Sequence, residues 1–368
     1  MHISFIDKRL ENIYSKVLEN SRLSKEDGIH IYETHDLVGL GRIADHVRRQ
    51  MHGNKAFYIY NQHLNYTNIC RNRCLFCAYA RNRGEQGAYL WTIDHIKKIL
   101  KERIAEPVKE LHIVGGLNDE LGFDYFIDLL ETVKKVRPHA TIKAFTCVEI
   151  DYLSRLAGLS IQKTIIRLKE AGLEMMPGGG AEILNSRVHK KLFPRKINHE
   201  RWLEIVKEVH RQGIRTNATM LYGHIETIEE RVDHLMTLRQ VQDETHGFSA
   251  FIPLAFHSQN TCLSHLPATT AVDDLKNIAA ARLMLDNFDH IKAYWVMIGE
   301  KLAQVALSFG ADDLDGTIIE ERITHMAGAK SATGLTRQQM TDMIEKAGFE
   351  PVERDSFYNP VTEQMSGS

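Results

Sequence analysis

The sequence predicts an α/β fold, a (βα) barrel of TIM-like type, partial or full, with helical N- and C-terminal extensions. Three observations lead there. Strand-like and helix-like stretches alternate from about residue 56 onward, in six or seven successive units. Each unit has the length of a strand plus a crossover helix, roughly thirty residues, which is the pattern of a parallel sheet. Polar and glycine-rich stretches fall after the strand-like segments, where a barrel gathers its functional loops.

The units run in order as follows. Residues 1–53 are polar and helical in period, with apolar positions spaced for helices in "RLENIYSKVLEN" and "DLVGLGRIADHVRRQ", and they form a helical extension. "AFYIYNQHLNYTN" is the first β-rich run, and "TIDHIKKILKERIAE" the first crossover helix, with Thr92 near its N-cap. Then come "ELHIVGG" as strand, "GFDYFIDLLETVKKVR" as helix, "TIKAFTCVEI" as strand and "SIQKTIIRLKEAG" as helix. "LEMMPGGGAEI" reads as strand plus turn, followed by the helix "NHERWLEIVKEVHRQG". "IRTNATMLYGH", "GFSAFIPLAFH" and "IKAYWVMIG" read as strands, with the helices "TIEERVDHLMTLRQVQDE" and "TTAVDDLKNIAAARLMLDN" between them. The barrel is expected over 54–310 and a C-terminal extension, with one helix at "TRQQMTDMIEKAG", over 311–368.

Charge and composition exclude several functions. Lys and Arg number 46 against 48 Asp and Glu, a formal charge of −2. That balance offers no surface for nucleic acid or anionic membrane. No apolar run approaches a membrane span and "MHISFIDKRL" lacks a signal-peptide core, so a cytoplasmic location is expected.

Three of the five cysteines, Cys70, Cys74 and Cys77, crowd into "NYTNICRNRCLFCAYAR". They lie too close together to staple distant segments, so the cluster points to metal. Tetrahedral structural zinc wants four ligands, usually as two pairs, and there is no second pair. A disulfide oxidoreductase needs only two of the three. An iron–sulfur cubane fits better, because one short loop can wrap three corners and leave the fourth iron open to a small molecule. Arg71, Arg73 and Arg81 would offset the charge of thiolate-bound iron. Cys147 and Cys262 are isolated and read as buried small hydrophobes.

The C-x3-C-x2-C spacing, with aromatic Phe76 before the last cysteine, resembles the radical S-adenosylmethionine superfamily. "HIVGGLND", "IKAFTCVEI", "MPGGGAEIL", "IRTNATMLYGHIET", "FIPLAFH", "KAYWVMIG" and "FGADDLDGT" narrow the likeness to the aminofutalosine (aminodeoxyfutalosine) synthase family of menaquinone biosynthesis, over about residues 5–358. The resemblance implies a [4Fe–4S] cluster on Cys70, Cys74 and Cys77, with S-adenosylmethionine consumed as co-substrate. It implies a transferase that adds a 5′-deoxyadenosyl radical to 3-[(1-carboxyvinyl)oxy]benzoate, with rearrangement and decarboxylation to aminodeoxyfutalosine. The expected partners are this dicarboxylate enol ether and an electron donor such as flavodoxin or ferredoxin, without nucleic acid or membrane. The sister enzymes, dehypoxanthine futalosine cyclase and a deazaflavin-forming synthase, share the cysteine loop and are the alternative.

Further candidates follow from position. The resemblance implies Phe76, Gly115 and Gly116 against S-adenosylmethionine, and glycine backbone can approach a ligand closely. Glycines 178–180 are costly to order and make sense along a pocket wall, which aims Glu182 at a ribose diol. A substrate with two carboxylates needs cationic partners, and Arg81 and His257 are the catalytic candidates, with Arg215 and Lys143 also near strand ends. The nineteen histidines show no metal-ligand spacing, and His112 and His224 are at most proton handlers. "ADDLDGT" lacks the spacing of a calcium loop and reads as a loop closing the barrel mouth.

Overall fold

The computed structural model describes residues 4–320 and 322–361. Its centre is a seven-stranded, wholly parallel sheet in sequence order, β2 (Asn61–Leu64), β3 (Glu110–Ile113), β4 (Thr141–Ala144), β5 (Met175–Met176), β6 (Arg215–Tyr222), β7 (Phe248–Ala255) and β8 (His290–Ile291). Nearly every strand residue is buried, as expected where helices cover one face and the curl of the sheet encloses the other. The crossover helices are α4 (Ile93–Glu102), α5 (Phe123–Val136), α6 (Cys147–Ala157), α7 (Ile161–Glu170), α8 (Ser186–Leu192), α9 (His199–Arg211), α10 (Ile228–Thr245) and α11 (Ala271–Met284). Most start on a side chain that satisfies a free N–H, such as Thr92, Ser160, Asn198, Thr227 and Thr270.

The first strand-like run divides. Residues Lys55–Ile59 form β1, which leaves the barrel sheet and pairs in parallel with β9 (Asp313–Gly316) and β10 (Glu350–Arg354). The N-terminal helices Arg9–Leu18 (α1), Lys25–Glu33 (α2) and Leu37–His52 (α3) precede it, and α3 and α2 pack against α11. Among the described residues, no helix is long and apolar enough to cross a membrane. Residues 1–3 and 362–368, at the ends of the two expected extensions, lie outside the described residues.

Three further segments differ from the sequence expectation. "TIKAFTCVEI" is strand only to Ala144, because Thr146 and Glu149 form a reciprocal capping box that starts α6. "IKAYWVMIG" contributes a single residue, Ile291, to β8 before a short helix, Trp295–Ile298. "ADDLDGT" is strand β9 rather than a mouth loop, and every residue of it is buried. Its acids are matched by distant cations: Asp312 by Arg282 at 2.5 Å, Asp313 by Arg354 at 2.6 Å and Asp315 by Lys292 at 3.1 Å.

The segment around β9 also bridges the two edges of the large sheet. Asp312 N–H donates to Ile291 O and Ala293 N–H to Asp313 O on the β8 side, at 3.0 and 2.8 Å. Ile319 N–H donates to Asn61 O, and His63 N–H to Ile319 O, on the β2 side. Residues 312–319 therefore occupy the wall position between the last and first strands.

Candidate functional site

The cysteine loop follows the C-terminal end of β2 and is held along its whole length. Cys70 N–H donates to Arg81 O at 3.1 Å and Arg81 N–H to Asn68 O at 2.8 Å, so the loop closes on itself like a short ribbon. The Asn68 amide braces it from inside, giving a hydrogen bond to Gly87 O and accepting one from Tyr89 N–H. Arg71 N–H reaches Leu117 O, and Leu75 N–H reaches Leu192 O at the end of α8. Between them, Cys77 N–H donates to Cys74 O at 3.0 Å and turns the chain back. The three cysteines are free thiols and all half-buried.

Burial pushes the Cys74 thiol up to about 12, against the pull of the Lys196 ammonium, while Cys77, Glu182 and Cys70 add to the rise. Cys77 is raised as well, by burial first, with the backbone N–H groups of Ala80 and Tyr79 opposing. The three sulfurs thus feel one another, and three thiolates here demand added positive charge such as iron supplies. A mononuclear ion suits them less well. Among the described residues, the group of three whose ligand atoms all lie within 4.8 Å is His52, His290 and Asp312, on the far side of the barrel. Ligands sharing one zinc stand within about 4 Å of each other. A free, wider-set trio of thiols fits a three-cornered cluster site.

Gly115 and Gly116 follow the end of β3 and lie against this loop. A Cβ on Gly115 would stand 2.6 Å from the Tyr66 ring, and one on Gly116 would collide with Ile69 O and Cys70 Cβ. Their smallness is therefore required by the cysteine loop itself. Glu149 locks the arrangement: its Oε1 accepts from Tyr66 Oη at 3.0 Å and from Gly115 N–H at 3.3 Å, and its Oε2 accepts from Thr146 N–H. Burial raises the Glu149 pKa, so its retention there depends on those donors.

The glycines after β5 pack just as closely. A Cβ at Gly178 would lie 2.5 Å from Asn217 O on β6, and Gly180 has φ +95° with Val148 against it. Glu182, at φ +51°, is buried rather than solvated. Its carboxylate takes a short ion pair from Lys196, whose ammonium also lies 5.1 Å from the centre of the Phe76 ring and 5.6 Å from that of Phe193. Burial works against the charge on Lys196, but Glu182 and then Cys74 outweigh it and raise its pKa. Glu182, Lys196, Phe76 and two of the cysteines are thus one neighbourhood. Lys196 escapes sequence reading because it follows a proline-containing turn with no periodicity or motif to mark it.

The remaining candidates are placed as follows. Arg81 directs its guanidinium to Ala78 O and Ala80 O, at 2.8 and 3.0 Å, and so clasps the cysteine loop. His257 is half-buried after β7 with Nε2 2.9 Å from Met297 O. Arg215 is exposed at the first residue of β6, the opposite end from the loops. Lys143 is buried in an ion pair of 2.5 Å with Glu110. Arg71 and Arg73, expected to offset cluster charge, pair instead with Asp119 and Glu85. His112 stacks on His63 with ring centres 4.6 Å apart, and burial holds it well below the usual histidine range. His224 pairs with Glu226. Cys147 is buried as expected, but Cys262 is exposed, its N–H bonded to Leu75 O.

Comparison with known proteins agrees with this geometry. Residues 64–238 match the radical SAM superfamily, and residues 245–366 match the CofH/MqnC C-terminal region. The chain is 47% identical to an aminodeoxyfutalosine synthase of Thermus thermophilus over 96% of each sequence. It is 37% identical to a 5-amino-6-(D-ribitylamino)uracil–L-tyrosine 4-hydroxyphenyl transferase of Methanococcoides burtonii, over 92% of this chain and 96% of that one. The crystal structure of methylornithine synthase superposes with a TM-score of 0.71 at 19% identity, covering 92% of this chain and 97% of that one, a likeness of fold.

Proposed function

Because the chain belongs to the radical SAM superfamily, in the branch of the aminodeoxyfutalosine synthases and their 4-hydroxyphenyl transferase relatives, we propose that it is itself an aminodeoxyfutalosine synthase. It would join the 5′-deoxyadenosyl carbon of S-adenosylmethionine to the enol-ether methylene of 3-[(1-carboxyvinyl)oxy]benzoate, with rearrangement, decarboxylation and release of methionine. The observation that carries this reading is the 47% identity over 96% of both sequences, against 37% and 39% for the transferases of Methanococcoides burtonii and Archaeoglobus fulgidus.

The superfamily works with a [4Fe–4S] cluster and S-adenosylmethionine, which together supply a carbon radical by one-electron cleavage of a sulfonium. Cys70, Cys74 and Cys77 are the residues that hold the cluster, in a loop whose backbone is already fixed by hydrogen bonds. The N–H groups of Gly115 and Gly116 are already given to Glu149 and to Thr67 O, so it is their carbonyls, against the same loop, that would meet the ammonium at the methionine end of the co-substrate. Glu182 and Lys196 form a polar pair beside Cys74, suited to the ribose hydroxyls and carboxylate of a bound nucleoside-amino acid. His257 and Arg81 remain the candidates for substrate contact, His257 by a ring that needs only to turn from Met297 O.

The test is anaerobic reconstitution with iron and sulfide, followed by mass spectrometry of products formed with S-adenosylmethionine. Given 3-[(1-carboxyvinyl)oxy]benzoate, the enzyme should yield aminodeoxyfutalosine with the adenosyl carbons incorporated. The 4-hydroxyphenyl transferase reading would instead require turnover of tyrosine with 5-amino-6-(D-ribitylamino)uracil. The cyclase reading would require turnover of dehypoxanthine futalosine. Either of the last two results, without the first, overturns the proposal.

A further inference from the structure

The inner face of the curled sheet carries a histidine that the site described above leaves unused. Side chains alternate along β3, so Leu111 and Ile113, both at 0% exposure, point into the apolar core while Glu110 and His112 point the other way. Parallel register sets His63 of β2 and Lys143 of β4 on either side of His112, on that same face. His112 keeps accessible surface although strands flank it on both sides and its neighbours in sequence have none. That surface opens onto the lumen of the barrel.

The charges around His112 already answer one another. Lys143 pairs with Glu110 at 2.5 Å, Lys292 with Asp315 at 3.1 Å and Arg354 with Asp313 at 2.6 Å, all six side chains being buried. The Ser356 hydroxyl donates to the other oxygen of Glu110 at 2.9 Å. Three cations thus meet three carboxylates, and none of the three is left for a ligand. His112 itself is neutral in this fold: burial, then His63, Lys143 and Lys292, hold it well below the usual histidine range. The His63 ring lies nearly parallel to it, with centres 4.6 Å and planes 15° apart, a stacking that two charged rings would oppose. Gly115, where the methionine end of the co-substrate is placed, comes three residues later, roughly 10 Å at the rise of a strand. A substrate that reacts with the adenosyl carbon therefore extends into the lumen, with its far end toward His112.

Resting on the reaction proposed above, we propose that His112 binds the ring carboxylate of the benzoate substrate and takes up one proton from solvent as that carboxylate arrives. The incoming charge has no free cation to meet, since Lys143, Lys292 and Arg354 keep their acids. An anion beside the ring favours its charged form, and the imidazolium then donates a charge-assisted hydrogen bond to the carboxylate. No covalent bond of the substrate changes in this step. The lumen thereby selects a molecule with an acid at its far end, because a neutral ring there would leave His112 without its partner.

The test is calorimetric titration of the reconstituted enzyme with 3-[(1-carboxyvinyl)oxy]benzoate, with S-adenosylmethionine present and reductant absent, so that binding occurs without turnover. Titrations in two buffers of different ionisation enthalpy give the protons taken up. A second ligand, the same enol ether without the ring carboxylate, isolates the contribution of that group. Wild type should take up a proton with the dicarboxylate and bind it more tightly as pH falls from about 8 to about 6.5, by up to about tenfold per unit. It should bind the analogue without uptake and on the order of 10- to 100-fold more weakly. His112→Gln and His112→Asn should bind the analogue as wild type does, yet lose the proton uptake and most of the preference for the dicarboxylate. Equal affinity and uptake for the two ligands in wild type, no binding of the dicarboxylate, or uptake that persists in the variants overturns the assignment. Loss of both ligands by both variants also overturns it, because His112 would then be holding the lumen and not the carboxylate. The expected pattern in an enzyme that forms no aminodeoxyfutalosine once reduced overturns the assigned reaction and leaves the carboxylate site standing. Aminodeoxyfutalosine made by a wild type that binds the two ligands alike does the reverse.

Discussion

Lys196→Met separates the ion pair beside the cysteines from everything else in the site. The side chains of Lys196 and Glu182 are only 14% and 10% exposed, so neither charge is repaid by water when its partner is lost. Deleting one member of a buried pair costs about 3–5 kcal/mol, because the other charge is left alone. Methionine preserves most of the stem volume between the Phe76 and Phe193 rings, which limits the added cavity cost. The expected loss is therefore about 3 kcal/mol in the metal-free chain. Adding Glu182→Gln removes the stranded carboxylate and should restore about 2 kcal/mol of it, a coupling readable in a double-mutant cycle. The assay is urea unfolding of the four proteins without iron, comparing midpoints at constant slope. Iron content after reconstitution gives a second reading, since Lys196 lowers the cost of ionising Cys74 and its loss should reduce cluster loading. A single variant within about 1 kcal/mol of wild type, or a double variant no better than the sum of the singles, would refute the reasoning.

Other outcomes follow from the same geometry. Cys70→Ala, Cys74→Ala and Cys77→Ala should each abolish the visible absorption of the reconstituted protein and its turnover, and a Cys74→Ala protein with four irons and full activity would contradict the ligand assignment. Gly116→Ala should leave the far-ultraviolet circular dichroism intact while lowering iron per chain several-fold, because its Cβ meets Ile69 O and Cys70 Cβ. Burial lowers His210 and His234 to about 4 in the fold, whereas an unfolded histidine titrates near about 6.5. The unfolded chain therefore takes up protons first as pH falls. Stability present above pH 6.5 should be lost between about 6.5 and 4, by up to about 3 kcal/mol per histidine. His210→Gln should flatten that slope in urea titrations, and an unchanged slope would count against the assignment.

The barrel and the cysteine loop were legible because periodicity, N-caps and spacing are local signals. Helices with a good cap, such as those opening at Thr92, Thr227 and Thr270, appear where the pattern puts them. The T-x-x-E box at Thr146 and Glu149 was an overlooked local sign, hidden inside a β-branched run. Two-residue strands such as β5 and β8 offer too little pattern to bound. Acidic "ADDLDGT" reads as loop by propensity, since its reason for burial lies in Arg282, Arg354 and Lys292, which no local window contains together. The same holds for Lys196, which is fourteen residues from Glu182 and far from Cys74 in sequence. Gly115 and Gly116 were read as making room for a ligand, and the loop above them makes a second demand on their size that no local window announces.

The stretch 312–319, seated between the first and last strands of the large sheet, makes the ring of strands a property of the whole chain. A shortened protein ending near residue 310 would keep Cys70, Cys74 and Cys77 yet leave both margins of the sheet with unanswered donors and acceptors. Such margins recruit strands from other molecules. The two matched regions, 64–238 and 245–366, are thus not exchangeable modules joined end to end. The later one mends a seam in the earlier, and a chimaera between relatives would have to carry both sides of that seam from the same parent.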